Sequence, residues 1–330
     1  MAEPTAASPE VTVVVPTYNR ADALGQTLDA LARTDLPGHR WEAVVVDDGS
    51  TDGTQAAVAA RAPSWPAPLR YERQANAGAA AARNRGADLA RGRILVFIDN
   101  DIVVAPDFVA KHVAAVGAHA GTWIIGRIVH PEELRATPFG RYRDAVWESF
   151  HRAAPEGAEA SEGMTAANLS LPREDFLRLG GFDTAFTIAS CEDADLGMRA
   201  RQAGIRIVYR PDIVAVHNDW AVSLRSFAER QRLYSVSDVL MWRKYGEGSP
   251  RAALVRENAP IAWGGDPPGR VLRKAVKACL ANPAGRALLR AHAWLAERLA
   301  PDTAWCHRSY ELLIAESIFR GVRAGLQRYG

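Results

Sequence analysis

The sequence predicts an α/β protein with a mostly parallel sheet flanked by helices and a helical C-terminal extension. Three observations carry that prediction. Short β-branched apolar runs alternate with helix-spaced segments through the first half of the chain, the mark of βαβ units. Polar residues cluster just beyond the carboxyl ends of those runs, where open α/β sheets bind their ligands. From Ser223 onward the pattern is helical almost to the end.

Taken in order, Val11–Val15 is an apolar run closed by Pro16 and reads as a buried strand. Ala21–Arg33 places Leu24, Leu28 and Leu31 at helical spacing. The cycle repeats with strands at Trp41–Val46, Leu69–Glu72 and Arg93–Ile98 and helices at Thr51–Arg61 and Gly78–Ala90. Pro106, suited to a first helical turn, opens Asp107–Val116. Trp123–Val129 and Ala166–Leu171 read as further strands, and Arg206–Tyr209 with Ile213–Val216 as a close pair. The C-terminal helical pattern is interrupted at Gly246–Pro250 and Gly264–Gly269. The organisation expected is a disordered segment 1–10, a main domain 11–220 and a helical extension 221–330.

Composition narrows the function classes. The 330 residues are 48% hydrophobic and 24% charged, ordinary for a globular protein and wrong for a disordered one. Forty basic residues against 38 acidic ones, a net charge of +2, give no bulk electrostatic argument for nucleic acid. No apolar run approaches the ~18 residues of a spanning helix, and Met1–Glu10 lacks the features of a secretory signal. Cys191, Cys279 and Cys306 have neither the number nor the spacing of a disulfide framework or a structural zinc site. A cytoplasmic protein is therefore expected. Thirty-six of the 40 basic residues are arginine, so an individual arginine is weak evidence for oxyanion binding. Segment 268–330 nevertheless carries +7 and the remainder −5.

The chemistry-bearing residues follow the strands. Asp99-Asn100-Asp101 succeeds Ile94–Ile98; in extended chain both carboxylates would face one object and Asn100 another, which suits a hard divalent cation shared with phosphate. A polar turn ahead of the next helix explains the same residues. Asp47-Asp48-Gly49-Ser50 succeeds the second strand and reads either as a turn with a helix cap or as an acid for a ribose or base. Asn76, Gly78, Arg83 and Asn84 open the third helix, whose N-terminus favours anions; helix capping alone could explain Asn76. Ser190-Cys191-Glu192-Asp193 resembles a capping box, yet Glu192, Asp193 and Asp195 are more acid than capping needs. One of them could deprotonate an incoming hydroxyl. His217 ends the last apolar strand, as a structural histidine or as a metal ligand beside the two aspartates.

In this order the segments resemble the inverting family-2 glycosyltransferases with the GT-A (Rossmann-like) fold. The match is carried by Val13-Val14-Val15-Pro16-Thr17-Tyr18-Asn19-Arg20, by Val45-Val46-Asp47-Asp48-Gly49-Ser50-Thr51-Asp52-Gly53-Thr54, and by Asn76-x-Gly78 with Ala82-Arg83-Asn84-x-Gly86. It continues through Asp99-Asn100-Asp101, Gly180-Gly181-Phe182-Asp183 and Glu192-Asp193-x-Asp195-Leu196-x-x-Arg199, and covers roughly residues 10–220. The resemblance implies a donor that is a nucleotide-diphosphate sugar, with UDP the usual carrier, and Mg²⁺ or Mn²⁺ as cofactor. It implies that Pro16, Thr17, Tyr18 and Asn19 border the nucleotide and that Asp48 reaches the base. Asn76, Gly78 and Arg83 then lie beside the nucleotide, and Asp99 and Asn100 on its ribose side. Asp101, with Asp99 and His217, would hold the metal; Asp193 would be the general base and Glu192 its neighbour at the acceptor.

Rival classes fit less well. A nucleotidyltransferase would carry a Gly-rich basic loop where this chain has Pro16-Thr17-Tyr18-Asn19, and no strand is followed by the G-x-G-x-x-G of a dinucleotide-binding enzyme. A non-catalytic nucleotide-sugar-binding or partner-binding module of the same fold is the remaining alternative. The acceptor could be a small molecule, a glycan or a lipid-linked sugar. The segment past 220, with Trp294, Leu295, Leu312, Leu313, Ile314, Ile318 and Phe319 among its arginines, reads as an amphipathic helix packed on the main domain, a homodimer contact or a peripheral membrane contact.

Overall fold

The computed structural model describes residues 8–118, 121–151, 157, 164–188, 190–219 and 222–330, with the side chains at 150 and 151 outside that description. Its strands are β1 (Val11–Thr17), β2 (Trp41–Asp47), β3 (Leu69–Arg73), β4 (Ile94–Phe97), β5 (Ile102–Val104), β6 (Thr122–Val129), β7 (Leu169–Pro172) and β8 (Arg206–His217). They form one sheet in the order β3-β2-β1-β4-β7-β6-β8-β5. The first four strands are mutually parallel. Beyond them the sheet is mixed: β7 runs antiparallel to both β4 and β6, and β5 antiparallel to β8, while β6 and β8 are parallel.

Every residue of β1 and β2 is buried. That is why both read as unbroken apolar runs rather than as alternating patterns. β1 continues through Pro16 to Thr17, past the proline expected to close it. Val14 and Pro16 direct their backbone groups to the β4 side, and that ladder ends at Val14 against Phe97, so the missing N–H of Pro16 forfeits no bond. The helices that precede β8 in the chain are α1 (Ala21–Leu31), α2 (Thr54–Arg61), α3 (Ala79–Leu89), α4 (Phe108–Ala118), α5 (Pro138–His151), α6 (Arg173–Arg178) and α7 (Glu192–Gln202). One core joins Val14, Leu95 and Phe97 of the sheet to Ala87 of α3, Phe176 of α6 and Leu196 of α7. α3 lies so close to β1 that a Cβ on Gly86 would sit 2.3 Å from Val14 Cγ1.

Two local readings change. The expected close pair at 206–216 is one strand: β8 runs through Pro211, and its pairing with β6 jumps from Gly126 opposite Arg210 to Arg127 opposite Val214. The residues around Pro211 bulge out and the ladder resumes, which a sequence scan reads as two strands. The three-residue β5 was not expected; Ile102-Val103-Val104 is too short to register as a periodic segment, yet it pairs with β8 and sets Ile102 opposite His217.

The chain divides into two compact units. One holds the residues up to Pro131 together with Glu148–Asp219; the other holds Glu132–Trp147 and the chain from 220 to Gly330. Of the segment 1–10, residues 1–7 lie outside the described residues, while Glu10 is bonded by Arg40 and by Arg93. The second unit adds α8 (Leu224–Tyr245), α9 (Ala252–Asn258), α10 (Pro268–Leu280), α11 (Pro283–Leu299) and α12 (Ala304–Tyr329). Val239 of α8, Val255 of α9 and Val322 of α12 share one buried cluster; Ala228, Leu289 and Leu313 form another. Trp294 and Leu295, grouped above with the packing residues, are 61% and 42% exposed. Among the described residues no helix is long and apolar enough to cross a membrane.

Candidate functional site

Four strand ends of the first unit carry the site, and its loops are tied to one another by side chains. Asn19, at φ 50°, donates its N–H to Ser50 Oγ (2.8 Å) and accepts from the Thr51 N–H through Oδ1 (2.7 Å). Asp52 Oδ2 accepts from the Ala21 N–H (3.0 Å) at the start of α1, so the loop after β2 braces the loop after β1. Pro16 and Thr17 are buried within β1, and Tyr18 is 48% exposed. Asp48 is buried and receives three bonds: Oδ1 from Gln74 Nε2 (2.7 Å) and the Ala77 N–H (2.9 Å), Oδ2 from the Gly78 N–H (2.8 Å). The loop that reaches α3 therefore closes on the Asp48 carboxylate. Gly78 holds φ 93°, a conformation that costs other residues, and Asn76 is exposed beside it.

The centre of the site is Arg83, on the second turn of α3 and only 4% exposed. It donates through Nη1 to Glu192 Oε1 (2.8 Å) and through Nη2 to Asp99 Oδ1 (2.7 Å), and Nη1 lies 3.9 Å from Asp193 Oδ1. Its guanidinium also sits over the Phe182 ring at 5.4 Å. Phe182 is positioned by Asn84, which donates to its carbonyl and accepts from its N–H, both at 2.8 Å. Arg199 of α7 bonds Asp195 Oδ2 (2.8 Å) and the Gly181 carbonyl (2.7 Å). Asn84, Gly181, Phe182, Asp195 and Arg199 thus form the frame around the Arg83 cluster. The capping-box alternative for α7 is not realised: Cys191 is the N-cap and no side chain caps the helix. Glu192 instead bonds the Ser190 N–H through Oε2 (2.6 Å) and Arg83 through Oε1.

Asp193 has a different environment from its neighbours. Oδ2 accepts from the Ala166 N–H (2.9 Å), while Oδ1 is buried without a hydrogen bond. Burial and the adjacent charge of Glu192 push its carboxyl up to about 7, with Arg83 acting in the opposite direction. A carboxyl that ionises near neutrality, with one lone-pair oxygen free, is suited to accept a proton.

Asp99, Asn100 and Asp101 do not share an extended strand. The Ile102 N–H donates to the Asp99 carbonyl (3.3 Å), so the triplet is a turn between β4 and β5. The two carboxylates consequently part: Asp99 goes to Arg83, and Asp101 to Arg20 Nη1 through Oδ2 (3.1 Å) and to His217 Nε2 through Oδ1 (3.3 Å). Asn100 Nδ2 donates to Thr17 Oγ1 (2.9 Å). Burial opposes the charge on Asp101, but His217 and Arg20 outweigh it and hold the carboxyl below its usual value. Burial likewise opposes the charge on His217, and Asp101, Asp219 and Asp99 together raise it. The Asp101 Oδ1 atom is buried and makes no hydrogen bond of ordinary geometry. An acid oxygen and an imidazole nitrogen 3.3 Å apart, one of them otherwise unbonded, fit two positions around a hard divalent cation. Among the described residues no group of three acid, histidine or cysteine side chains converges on one point, so further ligands would have to come from a diphosphate and water.

Residues 12–158 match the family model described as Glycosyl transferase family 2. A mannosyltransferase from Pyrobaculum calidifontis, solved with GDP-Man and Mn²⁺, superposes with a TM-score of 0.65 at 26% identity, over 96% of this chain and 89% of that one. Residues 12–158 are thus similar to family-2 glycosyltransferases, and the chain has the GT-A fold. Staphylococcus aureus TarS 1–349 in complex with UDP-GlcNAc shares that fold, with a TM-score of 0.51 at 19% identity over 96% of this chain and 92% of that one. The validoxylamine A glucosyltransferase of Streptomyces hygroscopicus subsp. jinggangensis is 35% identical over 224 residues, 60% of this chain and 52% of that protein. The chain therefore spans about half the length of the curated relatives it matches.

The GT-A domain brings the residues named from sequence into two adjoining groups. Arg83, Asp99, Glu192 and Asp193 form one; Asp101 and His217, with Asn100 against Thr17, form the other. Asp48 and Gly78 are joined to each other by the 2.8 Å bond. Three contributors escaped the reading by residue. Arg20 ends the first strand-end motif, and its place directly after that loop is the signal for it. Asp219, two residues beyond His217, is buried and acts on its charge. The Ala166 N–H is a backbone group and leaves no trace in residue types.

Proposed function

We propose that this chain is a metal-dependent, inverting glycosyltransferase that moves a sugar from a nucleotide diphosphate, UDP-sugar by preference, to an acceptor hydroxyl. The observation that carries the reading is Asp193: a carboxylate beside two other acids, its Oδ1 buried and free, with its proton affinity raised to about 7. In this role Asp193 Oδ1 takes the proton of the acceptor hydroxyl as that oxygen attacks the anomeric carbon. Direct attack with a single base inverts the anomeric centre. Glu192 raises the basicity of Asp193 through its charge and, held by Arg83, leaves Asp193 as the acid without a strong cationic partner.

On the donor side, Pro16, Thr17, Tyr18 and Asn19 would border the nucleotide. Asp48, Asn76 and Gly78 would meet the base end, with Asp99, Asn100 and Arg83 toward the ribose and diphosphate. For Asp48 to engage a base it must share oxygens that now accept from Gln74, Ala77 and Gly78. Asp101 and His217, flanked by Asp99, would hold Mg²⁺ or Mn²⁺. When bound, that ion would neutralise charge growing on the departing diphosphate as a Lewis acid. Arg20, 46% exposed and bonded to Asp101, is placed to meet the same phosphates.

The test is release of nucleoside diphosphate from a panel of UDP- and GDP-sugars, in Mn²⁺ or in chelator, with validoxylamine A first among the acceptors. The expected result is release that needs the metal and is lost in Asp193→Asn. Full activity in chelator would remove the metal from the reading. Diphosphate binding without turnover of any donor would favour a binding module of the same fold.

A further inference from the structure

The second unit exposes what a water-facing surface usually hides. Of the 13 large hydrophobic residues exposed among those described, eight lie between Trp263 and Trp305, a small fraction of the chain. On α11, Leu289, Ala293 and Ala296 are buried in the helical core, yet Leu288, Leu295 and Leu299 form a second apolar stripe, 65%, 42% and 66% exposed. Their spacing of seven and then four residues keeps them on one side of the helix. α10 is arranged in the reverse of a surface helix. Lys274 is 3% exposed and bonded to Asp266 Oδ2 (2.7 Å) and the Pro260 carbonyl (3.1 Å), while Leu272 and Val276 are 66% and 49% exposed. Turning a lysine inward and a leucine and a valine outward is unfavourable in water and favourable against an apolar medium.

We propose that α10 and α11 form a docking surface for an anionic phospholipid bilayer. Charge selects the occupant. Residues 263–305 contain seven basic side chains and three acidic ones; Lys274 is turned inward and Arg270 and Arg273 share Glu257, so Arg290 and Arg298 are the exposed cations left for headgroups. Arg290 of α11 is exposed, and Arg298 lies over the Trp294 ring at 5.4 Å, which pairs an indole with a guanidinium as at a headgroup boundary. A second copy of this chain would bring the same arginines against their like, at a cost, whereas anionic headgroups complement them. The helices would lie in the headgroup layer with leucines toward the acyl chains, since none of those described is apolar enough to span. This inference does not rest on the glycosyl-transfer reading.

Co-sedimentation of the full chain with vesicles tests it, comparing phosphatidylglycerol mixed into phosphatidylcholine with pure phosphatidylcholine, at low and high salt. Binding to the anionic vesicles should exceed binding to the neutral ones by about tenfold or more and fall at high salt. L288E/L295E should lose about tenfold in vesicle binding with an unchanged melting temperature. R290E/R298E, which leaves the apolar stripe intact, should lose binding to anionic vesicles and serves if the first variant folds poorly. No sedimentation with anionic vesicles at low salt overturns the proposal. So does a dimer in light scattering that L288E/L295E converts to monomer, because the face would then be covered by a second copy.

Discussion

Two neighbouring acid groups of the GT-A domain use the same side chain for opposite ends. Around Arg83, one guanidinium serves three carboxylates; Glu192 and Asp99 take its short bonds, and Asp193 is left 3.9 Å away with its pKa raised. Around Asp101, one carboxylate is matched by two cationic groups, Arg20 and His217, and its pKa is lowered. Burial and a cation already claimed by other acids make Asp193 ready to bind a proton; direct bonds from two cationic groups keep Asp101 ionised despite burial and the nearby Asp219. Which role an aspartate takes is thus decided by the partners its neighbours have already claimed. It is not decided by the residue type or by proximity to a strand end.

The largest effect should come from Asp193→Asn, with turnover falling by about 10²–10⁴ while nucleotide binding, read by calorimetry, stays within about twofold. If Asp193 is the base proposed above, turnover by the native chain should rise with pH through about 7, because only its ionised form can accept a proton. The same ionisation burdens the fold. The folded carboxyl titrates above its ordinary value of 3.8, so stability should decline as pH rises from 3.8 to about 7, and the melting temperature of Asp193→Asn should gain on the native one over that interval. A flat difference would mean that Asp193 is ionised throughout, and the contrast with Asp101 would collapse.

Arg83→Ala should follow, lowering unfolding free energy in urea by about 3–5 kcal/mol, because it strands Glu192 and Asp99 without their cation. Asp101→Asn should weaken nucleotide-diphosphate binding in Mn²⁺ by about tenfold, or ~1.4 kcal/mol, with no difference from native in chelator. An equal loss in chelator would make Asp101 structural, like Asp195. Asn100→Ala should be mildest, at about 1 kcal/mol in thermal unfolding, since one neutral bond to Thr17 is lost.

Sequence made the parallel half of the sheet legible because β1, β2 and β4 are wholly buried and stand out as apolar runs. The antiparallel half was harder to read. β5 has three residues, and β8 is broken in appearance by the bulge at Pro211. The candidate site followed the same division. Acids at strand ends were visible, but the meeting of Arg83 with the Glu192-Asp193 pair was not, since the resemblance sets Arg83 beside the nucleotide. The divergence of Asp99 from Asp101 was not, because it depends on a turn closed by the Ile102 N–H rather than on side-chain alternation. Asp195 was counted with the chemical acids, and its bond to Arg199 gives it a framing role. Such distinctions rest on which partner reaches first across a hundred residues of chain, as between Arg83 and Glu192, and no local pattern encodes that.

The eight-stranded sheet ends on β3 at one side and β5 at the other. An open edge offers unpaired backbone groups to any extended chain, including another copy in the cell during synthesis. β3 meets that hazard with Arg70, Glu72 and Arg73 in five residues, charges that an incoming strand would have to desolvate. β5 meets it by brevity, since three residues give a stranger too few bonds to hold. The short strand that delivers Asp101 to His217 also closes the sheet against uncontrolled growth.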